Sequence, residues 1–388
     1  MREKLLNIFK NAYGDAAEAQ VFFAPGRVNL IGDHTDYNGG HVFPGALTIG
    51  TYAAVRKRGD STLRFFSDNF SDEGIITTTL AEALPENRLG WCDYMRGVIW
   101  ALAEQGMKCD AGMDIAIWGN IPAGSGLSSS ASLEVLTGFF LRELFGFKVT
   151  NTEIALIGQT AENKFCGMNC GIMDQFTSAM GKKDHAILLD TATLKFDYAP
   201  LALSDISIVV TNSNVKHSLV TSAYNERRAQ SEAALAKLQT VADIKTLGDL
   251  TVAEFNKISD VLTDDIQLRR ARHAVSENER VILAAEALKA GKLETFGRLM
   301  NESHVSLRDD YETSCKEMDI LAEEAWKLPG VLGSRITGGG FGGCTVSLVK
   351  NASIDSFKEA LAAEYTKQTG LTPDFYVVSL GDGPQVIG

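Results

Sequence analysis

A polar segment near the N-terminus combines residue types that could bind a small, hydroxylated molecule. The segment GRVNLIGDHTDY occupies residues 26–37, between Pro25 and a pair of glycines. Its Asp, His and Tyr side chains offer the mixed donors and acceptors that sugar hydroxyls require, and Arg27 offers a fixed charge for a phosphoryl group. A solvated turn with local side-chain hydrogen bonds has a similar composition. The segment alone leaves both interpretations open.

A second candidate is PAGSGLSSSA, residues 122–131, between a predicted strand and a predicted helix. Gly124 and Gly126 allow the backbone to turn tightly and to approach a ligand closely. The helix that begins among the serines aims unpaired N–H groups and its dipole at an anion, and a serine hydroxyl could bind Mg²⁺. Serine N-caps and Gly-Ser turns are also common. The stretch is not a Walker A motif, so it predicts a phosphate cradle of another kind.

Two acidic residues are candidates for proton transfer and metal binding. Asp174 lies among apolar neighbours in GIMDQF, where its carboxylate could accept a proton from a substrate hydroxyl or cap a helix. Glu162 lies on a predicted helix and could reach a metal ion or face solvent.

The run GGGFGG at residues 338–343 satisfies the GxGxxG pattern of dinucleotide-binding proteins. That pattern requires a helix to follow, whereas the next residues, CTVSLVK, predict a strand. The segment therefore predicts a loop between two strands, and hydride transfer is disfavoured.

The elements that must position these segments form a mixed pattern. Strands are predicted at residues 21–24, 46–55, 61–67, 113–122, 186–190 and 206–213. Helices are predicted at residues 94–106, 152–167, 218–238, 265–290 and 313–327. Because 388 residues exceed a single core, we expect an α+β protein of two domains, residues 1–200 and 201–388, with a cleft between them.

Composition narrows the function classes. The formal net charge is −12 and Lys or Arg form no long run, which disfavours nucleic-acid binding. No apolar stretch approaches about 18 residues, which argues against a membrane span. The N-terminal segment MREKLLNIFKNAYGD lacks the apolar core of a secretion signal, and the six scattered cysteines fit reduced thiols. We expect a cytoplasmic, monomeric protein.

Three motifs, in this order, resemble those of the galactokinases of the GHMP kinase superfamily. GRVNLIGDHTDY is similar to the galactokinase signature, IPAGSGLSSSAS to the superfamily phosphate loop, and SRITGGGFGGC to its third, glycine-rich motif. AENKFCGMNCGIMDQF and SAYNERR are similar to further galactokinase segments. The likeness runs from about residue 20 to the end of the chain, and the first motif is the specific one because the whole superfamily shares the glycine loops.

The resemblance implies a two-domain GHMP kinase fold, with a ribosomal-S5-like α/β N-terminal domain, a ferredoxin-like α+β C-terminal domain and an active site between them. It also implies ATP-dependent phosphorylation of galactose at its C1 hydroxyl, with Mg²⁺ as cofactor. By matching position, Asp174 would be the general base, or would only orient the hydroxyl, and Arg27 would stabilise the transferring phosphoryl group.

The same matching implies further site residues. The sugar hydroxyls would be held by Asp33, His34, Thr35, Asp36 and Tyr224. The ATP phosphates would be cradled by Gly124, Ser125, Gly126, Leu127, Ser128, Ser129 and Ser130. Ser130 and Glu162 would bind Mg²⁺, and Ser67 would touch the nucleotide.

One departure from the family pattern affects the expected substrate. The signature usually has Glu where this chain has Asp33, which is one methylene shorter, so a sugar contact there would lengthen or be bridged by water. A GHMP kinase that acts on N-acetylgalactosamine is an alternative, because the sequence does not reveal whether there is room for an N-acetyl group beside the C2 hydroxyl. A non-catalytic sensor of galactose and ATP is another, although the unbroken serine stretch, Arg27 and Asp174 favour an active enzyme.

Overall fold

The computed structural model describes residues 1–122, 124–201, 204–215 and 220–388. For residues 220 and 221 it describes the backbone alone. Residue 123 of the predicted phosphate stretch and residues 218–219 of the helix predicted at 218–238 lie outside the described residues.

Secondary structure follows the expected mixture of strands and helices. The strands are β1 (Gln20–Asn29), β2 (His41–Val42), β3 (Pro44–Lys57), β4 (Thr62–Ser67), β5 (Ile76–Thr79), β6 (Met113–Gly119), β7 (His185–Asp190), β8 (Phe196–Pro200), β9 (Ile206–Asn212), β10 (Val331–Thr337), β11 (Cys344–Lys350), β12 (Asp374–Val378) and β13 (Gln385–Ile387). The helices are α1 (Arg2–Tyr13), α2 (Asp93–Glu104), α3 (Ser129–Phe145), α4 (Asn151–Thr160), α5 (Met173–Met180), α6 (Val220–Leu238), α7 (Val252–Ile258), α8 (Asp265–Lys289), α9 (Leu293–Asp309), α10 (Lys316–Lys327) and α11 (Ile354–Thr369). A π-helical turn, Ala161–Cys166, follows α4.

The N-terminal half is built on a sheet with the order β13-β1-β3-β6-β4-β5. Neighbouring strands run antiparallel except β4 and β6, which are parallel. Helices α2 to α5 pack together, and α3 covers β1 and β3, where Phe22, Val55 and Phe140 are fully buried. Helix α1 covers the other face through Leu5 and Phe9. The central strands are therefore shielded on both sides, which explains their nearly continuous apolar runs.

The C-terminal half is built on an antiparallel sheet with the order β10-β11-β9-β12. Helices α9 and α10 pack against β10, and α8 packs against α9. A third small sheet, β2-β7-β8, lies beside β3.

One apolar cluster joins the two halves. Val28 and Phe43 belong to the same buried cluster as Phe296 and Val346, and the rings of Phe43 and Phe296 lie 6.2 Å apart. The last strand, β13, also returns to pair with β1. Residues 385–387 thus lie in the N-terminal sheet, and a division of the chain near residue 200 stays a proposal.

Several expected elements are present with small shifts, and others were not expected. The helix that begins among the serines is α3, and the loop at residues 338–343 joins strands β10 and β11, as predicted. Helices α5, α7 and α9 and strands β2, β5, β8 and β13 were not predicted. Within the described parts of the chain, no helix is long and apolar enough to span a bilayer.

Candidate active site

Arg27 and Asp174 form a two-pronged ion pair between β1 and α5. Arg27 donates from Nε to Asp174 Oδ1 at 2.8 Å and from Nη2 to Oδ2 at 2.6 Å, and its Nη1 donates to the carbonyl of Gly126 at 2.5 Å. A bulge in β1 between Pro25 and Arg27 shifts the strand register and re-aims the following side chains. The Arg27 side chain is 4% exposed and that of Asp174 is 27% exposed, so the carboxylate keeps an open face.

The electrostatics of this pair fix the charge of the arginine. Burial works against a charged guanidinium, but the charge and hydrogen bonds of Asp174, together with the charges of Asp33 and Asp36, raise the pKa of Arg27. Ser128 also donates a hydrogen bond to Asp174. The carboxylate is therefore held in one orientation by partners from strand β1 and from the loop that precedes α3.

The phosphate loop, residues 124–130, has the geometry of an anion cradle. Gly124 and Gly126 both have a φ of +68°, and Ser128 has a φ of +59°, just before α3 begins. The side chain of Ser128, the N-cap residue of α3, makes no capping hydrogen bond to the first turn, which leaves these N–H groups available to an anion. The hydroxyl of Ser125 is buried and has no hydrogen-bond partner within the described residues.

The glycine-rich loop, residues 338–343, packs directly against the phosphate loop. A Cβ atom on Gly338 would lie 2.9 Å from the carbonyl oxygen of Gly126, and the φ of Gly338 is +87°. Only glycine fits such an approach of two backbones. The two glycine motifs therefore form one continuous wall, although they are more than two hundred residues apart in the chain.

The two loops and the polar segment enclose a cavity of about 710 Å³ between the two halves of the protein. Within the described residues, Arg27 is the one arginine or lysine that lines this cavity. The lining includes Arg27, Asp33, His34, Asp36, Gly124, Ser125, Gly126, Leu127, Ser128, Ser129, Ser130, Glu162, Asp174, Tyr224 and the loop at 338–343. The volume lies within the range of small-molecule sites.

Asp36 lies next to Asp174 at one end of the cavity. Its carboxylate accepts hydrogen bonds from the backbone N–H groups of Tyr37, at 3.0 Å, and Met173, at 3.2 Å. Burial, and then repulsion from Asp174, raise the pKa of Asp36 to about 6. A Cβ atom on Gly171 would lie 2.0 Å from Asp36 Oδ2, so a glycine is required there for the carboxylate to keep its place.

Asp33 is held by the protein on several sides. Its Oδ2 accepts a hydrogen bond from Arg335 at 2.5 Å, and its Oδ1 accepts from Asn29 at 2.9 Å and from the N–H of Gly338 at 3.2 Å. Burial raises the pKa of Asp33 against the opposing effect of the Arg335 charge. The carboxylate therefore ties the polar segment to the glycine-rich loop as well as lining the cavity.

Two carboxylates at the other side of Asp174 share one amide. Gln175 donates from Nε2 to Glu162 Oε2 at 2.6 Å and to Glu134 Oε2 at 2.9 Å. Ser130 also hydrogen-bonds to Glu162, and burial followed by repulsion from Asp174 raises the pKa of Glu162 to about 7. Glu162 lies in the π-helical turn, a feature that is frequent at functional sites.

Two predicted site residues lie outside the cavity lining. Thr35 is fully buried, and its hydroxyl lies 2.8 Å from the carbonyl of Gly32 and 2.7 Å from that of His41. Thr35 thus stabilises the turn, and its predicted sugar contact stays a prediction. Ser67 ends β4, is 2% exposed and is also absent from the lining.

Comparisons with known proteins place these motifs in one family. Residues 7–57 match the galactokinase galactose-binding signature, residues 93–182 the GHMP kinases N terminal domain and residues 284–367 the GHMP kinases C terminal domain. A galactokinase of Clostridium acetobutylicum is 51% identical over 99% of this chain and 98% of its own length. One of Ligilactobacillus salivarius is 50% identical over the full length of both chains. The chain belongs to the galactokinase family.

Solved structures agree with this membership. A Lactococcus lactis galactokinase, described as complexed with galactose, superposes with a TM-score of 0.97 at 44% identity over the whole of both chains. A Methanococcus jannaschii mevalonate kinase superposes with a TM-score of 0.67 at 18% identity over 94% of this chain and 99% of its own, a likeness of fold alone. The expected two-domain GHMP kinase fold is confirmed.

Within this galactokinase fold, the structure brings together most of the predicted site and adds residues that the sequence analysis missed. The additional residues are Arg335, Glu134, Gln175, Tyr311 and Ser231. Arg335 carried a signal, because a charged residue inside a strand next to a glycine motif has to find a buried partner. Tyr311 and Ser231 lie outside every motif and carried none.

Proposed function

We propose that this member of the galactokinase family transfers the γ-phosphoryl group of ATP to the C1 hydroxyl of galactose, producing galactose 1-phosphate and ADP. The observation that carries the proposal is the Arg27–Asp174 pair, which holds an oriented carboxylate with an open face between the polar segment and the phosphate loop. Family membership supports the same reaction.

Galactose would occupy the end of the cavity formed by the polar segment. Asp36 and Tyr224 offer a carboxylate acceptor and a hydroxyl around one space, which the imidazole ring of His34 and the carboxylate of Asp33 also line. The related Lactococcus lactis protein is described as complexed with galactose, which supports the sugar assignment. A sugar so placed would have its C1 hydroxyl near Asp174.

ATP would place its phosphates on residues 124–130. The unpaired Ser125 hydroxyl and the uncapped start of α3 are the groups that an anion would satisfy. The proposal also includes a contact between the nucleotide and Ser67, a residue that does not line the cavity.

Asp174 would act on the nucleophile and Arg27 on the charge that develops. In the proposed step the C1 hydroxyl gives its proton to Asp174, its oxygen bonds to the γ-phosphorus, and the bond from that phosphorus to the bridging oxygen of ADP breaks. Arg27 would neutralise charge on the oxygens of the transferring group. A role for Asp174 in orienting the hydroxyl alone requires the same geometry.

The residues around Glu162 fit Mg²⁺. A hydroxyl from Ser130 and a carboxylate from Glu162 lie beside the phosphate loop, and both are hard oxygen donors. Among the described residues, no group of three or more His, Cys, Asp or Glu side chains forms a metal cage, which suits an ion that receives its other ligands from phosphates and water. When bound, Mg²⁺ would neutralise phosphate charge.

The test is ADP release with Mg-ATP and, in turn, galactose, N-acetylgalactosamine, glucose and mevalonate, for the wild-type protein and for Asp174→Asn. We expect turnover on galactose and a fall in kcat of at least about 100-fold in the variant, with galactose binding retained by calorimetry. Turnover on N-acetylgalactosamine alone would change the substrate, and galactose binding without turnover on any acceptor would favour a sensor. Light scattering and cell fractionation would test the proposed monomer and its cytoplasmic location.

A further inference from the structure

Four side chains form a continuous row of hydrogen bonds from α6 to the glycine-rich loop. Ser231 Oγ lies 2.6 Å from Tyr311 Oη, which lies 2.9 Å from Tyr37 Oη. Tyr37 Oη lies 2.7 Å from His34 Nδ1, and His34 Nε2 lies 3.2 Å from the carbonyl oxygen of Gly339. The row therefore reaches the cavity at His34 and ends on the glycine-rich loop that also lines it.

The chemistry of the last group fixes the direction of the whole row. A carbonyl oxygen can only accept, so His34 Nε2 must carry a hydrogen and donate it to Gly339. In a neutral imidazole the other nitrogen is then an acceptor, so Tyr37 donates to Nδ1. Each hydroxyl has one hydrogen to donate, so Tyr311 donates to Tyr37 and Ser231 donates to Tyr311. Reversing any one of these hydrogen bonds would leave two donors or two acceptors facing each other elsewhere in the row.

The surroundings of His34 favour the neutral ring that this arrangement requires. Burial, and then the nearby His273, lower the pKa of His34 to about 3. The imidazole also packs against two aromatic rings, with centroids 5.2 Å away for Tyr224 and 4.8 Å away for Tyr311. Packing fixes the plane of the ring, and the hydrogen bonds select its tautomer.

Helix α6 anchors the far end of the row. Arg227 on this helix donates from Nε to the backbone carbonyl of Tyr311 at 2.9 Å, which fixes the residue that bridges Ser231 and Tyr37. Ser231 and Tyr311 are fully buried, so neither hydroxyl has water to exchange for its partner. The position of α6 is thus transmitted to His34 by this row of hydrogen bonds, in addition to the packing of Tyr224, which lies on the same helix, against the imidazole ring.

We propose that Tyr37, Tyr311 and Ser231 are positioning residues that hold His34 as the Nε2–H tautomer, and that the resulting His34–Gly339 bond couples the sugar end of the cavity to its nucleotide end. The kinetic part of this proposal rests on the proposed galactokinase reaction. Its structural part does not, because the tautomer of His34 exists in the free protein.

The first experiment is nitrogen-15 NMR of the histidine rings in the free, full-length protein, with the His34 signals assigned by their loss in His34→Gln. We expect a protonated Nε2 and an unprotonated Nδ1 in the wild type. A protonated Nδ1, or a ring with both nitrogens protonated at neutral pH, would overturn the proposal whatever the enzyme does with galactose.

Three variants then test the order of the row. Tyr37→Phe removes the donor to Nδ1, so the Gly339 carbonyl alone selects the tautomer, and the fraction of His34 protonated on Nδ1 is expected to rise above that of the wild type. The KM for galactose and for ATP is expected to rise by about tenfold each, with kcat within about threefold, because Arg27 and Asp174 are untouched. Tyr311→Phe and Ser231→Ala act further along the row and should have progressively smaller effects. They also test the proposal if Tyr37→Phe does not fold.

Tyr13→Phe is the matched control. Its hydroxyl, like that of Tyr37, has two hydrogen-bonding partners, here the backbone carbonyls of Arg64 and Ile115. Tyr13 lies in α1 and does not line the cavity. We expect this variant to leave the His34 signals and both KM values unchanged. If Tyr37→Phe behaves like Tyr13→Phe in the NMR spectrum and in kinetics, the proposal is wrong. If the wild type releases no ADP with galactose while the His34 tautomer shifts in Tyr37→Phe, the proposed reaction fails and the positioning role stands.

Discussion

Arg335 and Asp33 form an ion pair that is shielded from water, with side chains 0% and 1% exposed and a closest distance of 2.5 Å. The pair joins β10 to the polar segment, and 302 residues separate the two partners. Asn29 and the N–H of Gly338 complete the hydrogen bonds of the carboxylate. Because neither charge can turn to solvent, the loss of either partner leaves the other uncompensated.

We therefore predict that Asp33→Ala lowers the free energy of unfolding by about 3–5 kcal/mol. Urea denaturation followed by circular dichroism measures the loss. The control is Glu302→Ala, which breaks the exposed Arg298–Glu302 pair of α9 and is expected to change the free energy of unfolding by less than about 1 kcal/mol. Equal losses in the two variants would show that the buried pair has no special role.

The site segments that could be predicted are those whose residue types form a recognisable pattern within a short stretch of sequence. The polar segment, the phosphate loop and the glycine-rich loop each combine glycines with polar residues over about a dozen positions, so their sequences alone indicated a site. Strand β13 was missed because three residues are too few to show a pattern. Helix α9 was missed because only three residues separate it from α8, and the helix predicted at residues 265–290 was not followed by a second one.

The partners within the site could not be predicted for a different reason. Tyr37 meets Tyr311 across 274 residues, and Thr35 turns its hydroxyl toward two backbone carbonyls that only the folded turn brings near. Such contacts depend on how the two halves pack, which no local pattern encodes. The sequence thus indicated which segments meet, and the structure was needed to show which atoms do.

Gly171→Ala tests whether the position of Asp36 matters for the sugar. The added methyl would lie 2.0 Å from the carboxylate and would displace it, although the backbone conformation of Gly171 is one that alanine accepts. We expect the KM for galactose to rise by roughly tenfold or more, as measured by ADP release. Gly119→Ala is the matched control, since its nearest contact would be an ordinary 3.5 Å. An unchanged KM in Gly171→Ala would contradict a role for Asp36 in galactose binding.

The raised pKa of Asp36, about 6, predicts a pH dependence of activity. Below that pH the free protein holds Asp36 protonated, so the carboxylate that would accept a sugar hydroxyl is lost. We expect kcat/KM for galactose to fall as the pH drops through about 6, in a profile measured from pH 4.5 to 8. Asp36→Asn should be slow at every pH and should lack this limb. A limb that survives in Asp36→Asn belongs to another group.

The same group predicts an opposite trend in stability. Because the folded state binds this proton more tightly than the unfolded chain, Asp36 contributes stability that is fully present below about pH 4 and is lost as the pH rises through about 6. Asp36→Asn should therefore raise the free energy of unfolding by up to about 3 kcal/mol at pH 7.5 and by much less at pH 4. Urea titrations at the two pH values measure the difference. A stabilisation of equal size at both would exclude the ionisation of Asp36 as its source.

Adjacent glycines of the glycine-rich loop are predicted to respond in opposite ways to alanine. A methyl on Gly339 would make an ordinary contact of 3.4 Å with Tyr224, and the backbone there does not have a positive φ. Gly339→Ala should therefore raise the free energy of unfolding by about 0.4–1 kcal/mol, because it restricts the unfolded chain without straining the fold. Gly340 has a φ of +82°, and its methyl would lie 2.4 Å from the carbonyl of Thr313. Gly340→Ala should lower the free energy of unfolding by more than Gly339→Ala raises it. If both variants lose a similar free energy of unfolding, glycine is required by the loop as a whole and not by the conformation of each residue.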